Sequence, residues 1–129
     1  MLKYKYASLA LLNTVLIIYA SSIPDHALLG DDSLTEQIIS NLAHIPVYAL
    51  LTFLWLKTFE RKKIVGYLSR VNALILIGLI LFAVSDEIHQ SFIPGRFASY
   101  MDVGLDFLGI FFGLGSFKIF GIFNLFQEE

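Results

Sequence analysis

The residues best equipped for chemistry lie in one short stretch, Ser85-Asp86-Glu87-Ile88-His89-Gln90-Ser91-Phe92-Ile93-Pro94-Gly95-Arg96, with Asp102 and Asp106 just beyond it. A histidine among carboxylates can ligate a divalent metal or serve as an acid–base pair. The spacing does not choose between them. There is no HExxH, no tandem DxD, and no Ser or Lys beside an obvious activating base. Phosphate loops and dinucleotide fingerprints are missing too, and no feature points to nucleic acid. No catalytic motif, cofactor or metal is therefore assigned from the residues.

Asp86, His89 and Gln90 stand three and four residues apart, so they share a face if a helix runs one turn past Ser85. Asp86 and Glu87 then sit at a helix C-terminus, where the dipole disfavours negative charge. Such breaches of local rules concentrate at working sites, which makes Asp86 a functional candidate. Glu87 points off that face and reads as a solvated loop carboxylate. Pro94-Gly95 fits the centre of a type II turn, with glycine at the positive φ. The turn aims Arg96 back over the bundle, either toward Asp86, Asp102 or Asp106 or toward a phosphate or carboxylate ligand.

A second group lies deeper. Asp106 falls inside an apolar span, where an ionisable group costs at least about 2–3 kcal/mol unless paired or hydrated. His44 has Asn41 and Tyr48 at i−3 and i+4, a polar stripe on one helix face. His44 and Asp106 are the strongest candidates. Asp102 has a structural explanation, because Ser99-Tyr100-Met101-Asp102 has the form of a capping box.

The elements that hold these residues follow from composition. In 129 residues, 57% are hydrophobic and 16% charged, and the mean hydropathy is +0.72. A soluble domain of this size cannot bury so much apolar surface, so the expected class is an all-α membrane protein, one domain over residues 1–129. Cysteine is absent, which removes thiol chemistry, disulfides and thiolate metal sites. Four apolar segments, about 6–23, 38–56, 67–85 and 102–123, have the length to cross hydrocarbon as helices, which predicts a four-transmembrane-helix bundle. Lys3, Lys5 and Ala20-Ser21-Ser22 give the first segment some signal-peptide character, but its apolar run is long for one.

Lys3, Lys5, Lys57, Arg61, Lys62, Lys63, Arg70 and Lys118 all fall on one side of such a bundle, and Arg96 alone on the other. The positive-inside rule then puts both termini in the cytoplasm and the 85–96 stretch outside, near His26, His44 and His89. Ser33-Leu34-Thr35-Glu36 is a further capping box, opening a helix that runs through His44 and is kinked at Pro46. Trp55 reads as an interface anchor. Asp102, Asp106, Gly109 and Gly113 lie on one face of the last segment, and Gly109 and Gly113 form a GxxxG surface for a neighbouring helix, within the bundle or in a partner.

The string Asp86-Glu87, Gln90, Phe92 and Pro94-Gly95-Arg96, with Ser99, Asp102-Val103, Asp106 and Gly109, resembles the signature of the VanZ-like membrane proteins. Ser21-Ser22-Ile23-Pro24 and Asn41-Leu42-Ala43-His44 to Tyr48 are similar to two earlier motifs of that family. This chain has Asn41-Leu42 where the family often has Asp-Lys, and Asp106 where it often has Asn. The resemblance implies a small multi-pass protein of the bacterial cell membrane, associated with lowered susceptibility to glycopeptides such as teicoplanin. Its implied partners are the bilayer and a lipid-linked envelope precursor or the glycopeptide itself. The expected site comprises His44, Tyr48, Asp86, Glu87, Gln90, Pro94, Arg96, Asp102 and Asp106, beneath the 85–96 loop. Binding or modification of an envelope component is the leading expectation; an intramembrane hydrolase or transferase and an assembly factor are the alternatives.

Overall fold

The computed structural model describes residues 3–24, 34–60, 69–96 and 99–127, with backbone alone over 34–40 and 124–127. These residues form α1 (Tyr4–Ser21), α2 (Leu34–Thr58), α3 (Arg70–Gln90) and α4 (Tyr100–Gln127), and no strand occurs among them. The capping bonds expected for Ser33 and Glu36, together with His26 and the basic run 61–63, lie outside the described residues.

The helices differ from the apolar segments at their polar ends. Ser69 opens α3 because its hydroxyl accepts the Asn72 amide at 3.1 Å, which moves the start from about Tyr67 to Arg70. The other end of α3 runs beyond Ser85 to Gln90, carrying Asp86 and Glu87 into the helix. Helix α2 continues through Pro46, whose missing amide leaves the Leu42 carbonyl without its usual donor. Along α2, the buried hydroxyls of Thr52 and Thr58 donate to carbonyls one turn back, at 2.8 and 2.9 Å. Such bonds hide polar groups without a neighbour's help.

The closest packing is between α2 and α4, and the two glycines make it possible. A Cβ added to Gly109 would lie 2.6 Å from the Ile45 carbonyl oxygen and 2.8 Å from Tyr48 Cβ. One added to Gly113 would lie 2.6 Å from Thr52 Cβ and nearer still to the Ala49 oxygen. The GxxxG face is thus covered by α2 of the same chain. Helix α1 is tied to α2 by Asn13 Nδ2, which donates to the Val47 carbonyl at 3.2 Å, and by the Lys3 amide, which donates to the Thr58 carbonyl at 3.0 Å.

All four helices contribute to one small core of Ile17, Tyr48, Leu51, Leu79, Ala83 and Ile110. Outside it the usual order is reversed. Leu12, Val15, Leu74, Leu81, Phe111 and Ile119 are exposed, while Asp86, Glu87, Gln90 and Asp106 are buried. An apolar surround resolves that inversion. Among the described residues, α3, with mean hydropathy 2.0, and Tyr100–Phe123 of α4, with 1.6, are long and apolar enough to cross a membrane.

Candidate functional site

The site is assembled where α3 ends and α4 begins. Ile93 accepts the Arg96 amide at 3.1 Å, and Gly95 has φ 82°, so Pro94-Gly95 form the centre of the expected type II turn. A β-carbon is disfavoured at that φ, which explains the glycine. The turn returns the Arg96 guanidinium over α3, where it donates to Gln90 Oε1 at 3.1 Å. Gln90 Nε2 in turn donates to Asp86 Oδ2 at 3.2 Å, one helical turn away. Gln90 therefore relays Arg96 to Asp86, one of the partners, with Asp102, Asp106 and a phosphate or carboxylate ligand, that the sequence left open for Arg96.

The deeper half rests on the α2–α4 seam. Because Gly109 admits α2 so closely, His44 Nδ1 reaches Asp106 Oδ1 at 2.7 Å. Asp106 is only 1% exposed. When it is ionised, Nδ1 must carry the proton of this bond, and in the neutral ring Nε2 is then the acceptor. Tyr48, one turn along from His44, is buried against Phe82, with ring centroids 6.1 Å apart. Its hydroxyl is buried in the field of Asp106 and Asp86, without a hydrogen bond of ordinary geometry.

Two carboxylates differ from expectation. Glu87 is not solvated; it is 4% exposed, and its Oε1 accepts the backbone N–H of Ser99. It thereby takes the role assigned to Asp102. In a capping box Asp102 would reach back to that same amide, but Glu87 occupies it first, and Ser99 Oγ accepts from Met101 instead, at 3.1 Å. Asp102 is released, and its Oδ1 is buried without a partner among the described residues. Sequence alone could not reveal this, because the competing acceptor lies on another helix. His89 also leaves the Asp86/Gln90 group, turning outward to meet Ser22 Oγ at 3.0 Å and tie the end of α1 to the end of α3.

Glu87 Oε2, Asp102 Oδ1 and Asp106 Oδ2 are thus buried acceptors with no donor among the described residues. Buried polar atoms in that state are rare and ask for an explanation. No group of three His, Asp or Glu among the described residues is placed to hold a metal ion. The arrangement can hold a polar ligand that hydrogen-bonds to these acids and to the buried Tyr48 hydroxyl, or use His44 as a base oriented by Asp106.

A second polar group escaped the sequence reading, which used its lysines only to orient the chain. At the opposite end of α2, Lys57 is 3% exposed, donates to both Glu60 oxygens at 3.0 and 2.9 Å, and lies 4.3 Å from the Phe120 ring centroid. Lys3 of the α1 start joins the same carboxylate. Burial pushes the Glu60 carboxyl up, but hydrogen bonds from Lys3 and Lys57 outweigh it and hold it below the ordinary glutamate value. The i, i+3 spacing of Lys57 and Glu60 was the available signal.

Membrane-capable helices around buried carboxylates and a histidine define an all-helical membrane protein with a polar interior at one end. The family model described as VanZ/LLP1 matches residues 3–121, and the chain belongs to that family. Comparison with curated proteins and with solved structures returns no match.

Proposed function

We propose that this chain is a four-crossing protein of the bacterial cell membrane whose polar end faces outward and binds the polar head of a lipid-linked envelope component or a glycopeptide, contributing to glycopeptide resistance of the teicoplanin kind. One observation carries the binding reading: acceptor atoms of Glu87, Asp102 and Asp106 are buried together, without donors among the described residues, beneath the turn that presents Arg96. A purely structural cluster would satisfy its own members. The outward orientation is supported by the lysine and arginine distribution, with both termini in the cytoplasm. Helices α1 and α2 complete the crossings in this reading, supported by the exposed Leu12, Val15 and Leu16 of α1 and by the length of α2.

In a host where the protein lowers glycopeptide susceptibility, Arg96→Ala and Asp86→Ala abolish that phenotype at unchanged protein level. An unaltered phenotype in both variants overturns the proposal. The His44–Asp106 contact favours a second reading, an intramembrane hydrolase or transferase in which Asp106 orients His44 as general base. Purified protein incubated with lipid-linked precursors, with and without chelator, then yields a product; no turnover in either condition refutes it.

A further inference from the structure

The two halves of the site, the Arg96–Gln90–Asp86 relay and the His44–Asp106 pair, meet at one side chain. Tyr48 projects from α2 into its junction with α3 and α4. On the α4 side, a Cβ added to Gly109, three residues after Asp106, would lie 2.8 Å from Tyr48 Cβ. On the α3 side, the Tyr48 ring packs on Phe82, one turn before Asp86. The side chain is 1% exposed, and its hydroxyl reaches toward Asp86 in the field of Asp106. Each acid already commits one oxygen elsewhere. Asp86 Oδ2 accepts from Gln90, and Asp106 Oδ1 meets His44. Asp106 Oδ2 is buried with no partner among the described residues. A phenol has one proton to donate, so it can serve one of the two acids at a time. A buried donor left unused is disfavoured, so the hydroxyl turns to whichever acid is less well met.

We propose, building on the binding reading above, that Tyr48 is a positioning residue whose hydroxyl proton is shared between Asp86 and Asp106, coupling the Arg96 turn to His44. While Arg96 holds Gln90 on Asp86, that acid is supplied and the hydroxyl supports Asp106. Asp106 in turn fixes the His44 ring. A ligand that draws Arg96 away loosens Gln90, and Asp86 then claims the phenol at the expense of Asp106. The state of the outer turn is thereby felt at the deeper histidine. The phenol oxygen can still accept a hydrogen bond from the ligand itself.

The test uses the full chain in uncharged polyoxyethylene micelles at one fixed pH, with isotope-labelled histidine rings read by nitrogen NMR. His44→Gln assigns the His44 signals. Tyr48→Phe keeps the ring on Phe82 and removes only the hydroxyl. Gln90→Leu cuts the relay from α3. Gln90→Leu shifts the His44 ring signals, and in the Tyr48→Phe background that shift falls below half its size. A shift that keeps half or more of its size without the hydroxyl overturns the inference, because the effect then bypasses Tyr48. No shift from Gln90→Leu with Tyr48 in place also overturns it. Arg96→Ala, at the less buried end of the relay, is read in the same way if Gln90→Leu does not fold. The resistance phenotype is scored separately. Coupling through Tyr48, with that phenotype unaltered in Arg96→Ala and Asp86→Ala, upholds the inference and overturns the binding reading. Loss of the phenotype in both variants without the coupling does the reverse.

Discussion

Replacing Gly109 by alanine tests the seam on which the deeper half of the site depends. The new Cβ would stand 2.6 Å from the Ile45 carbonyl oxygen, whereas ordinary contact begins at 3.4 Å. The obstruction is backbone, so it cannot swing aside, and the two helices must part by about 0.8 Å. Over-packing of this kind costs about 1–3 kcal/mol. Gly115→Ala is the matched control, because its Cβ meets nothing within 4 Å on the same helix. Both substitutions carry the same gain in intrinsic helix preference, so it cancels in the comparison. Gly109→Ala should therefore be less stable than Gly115→Ala by about 1–3 kcal/mol, read from equilibrium unfolding in mixed micelles. Parting the helices also stretches the His44–Asp106 contact from 2.7 Å to about 3.5 Å, beyond hydrogen-bonding range. The resistance phenotype should fall in Gly109→Ala and persist in Gly115→Ala. Equal stability of the two variants would refute the close seam and the alignment argued from it.

The remaining predictions concern individual contacts. In a double-mutant cycle of His44→Ala and Asp106→Asn, the coupling should be favourable and about 0.6–1.7 kcal/mol, the range of interhelical polar contacts in membranes; a coupling of zero denies the pair. Glu60 is depressed below its ordinary value of 4.5, so its contribution is present above that pH and is lost as the pH falls through the lower folded-state value. Acid titration of stability should thus show a loss below pH 4.5 that Glu60→Gln removes. Gly95→Ala forces a β-carbon into φ 82° and should cost about 1–2 kcal/mol. Glu87→Ala should speed hydrogen exchange at the Ser99 amide, while Glu87→Gln, which keeps an acceptor oxygen, should slow it again.

What the sequence reveals divides by the range of the interaction. The helices were legible, since apolar runs of crossing length have few alternatives. Ends set by local bonds were within reach: the type II turn follows from Pro94-Gly95, and the alignment of Asp102, Asp106, Gly109 and Gly113 follows from helical period. The pairing of His44 with Asp106 was half legible, because each stood out alone as an ionisable group in an apolar span. Their contact required knowing that α2 lies on the glycine face. Competition between distant groups was out of reach. Glu87 and Asp102 contend for one amide, and spacing favours Asp102, but α3 delivers Glu87 to the place first. Lys57 looked like a cytoplasmic marker because its burial depends on Phe117 and Phe120 of α4 and on Glu60.

The two polar ends of the bundle are solved in opposite ways, and the difference supports the proposed site. Where α1 starts and α2 finishes, Lys3 and Lys57 meet Glu60, and Phe120 covers the buried ammonium. Lys3, Lys57 and Glu60 each have a partner of opposite sign there, so the cluster fastens two helices and covers a third. Where α3 finishes and α4 starts, the same economy was available, since Asp102 needed only the Ser99 amide to be satisfied as a cap. Glu87 takes that amide and leaves Asp102 with a buried, unused oxygen. Burying an acceptor without a donor costs about 1–3 kcal/mol. In the proposed binding reading, a protein that neutralises one end and leaves acids unsatisfied at the other bears that cost where a ligand would relieve it.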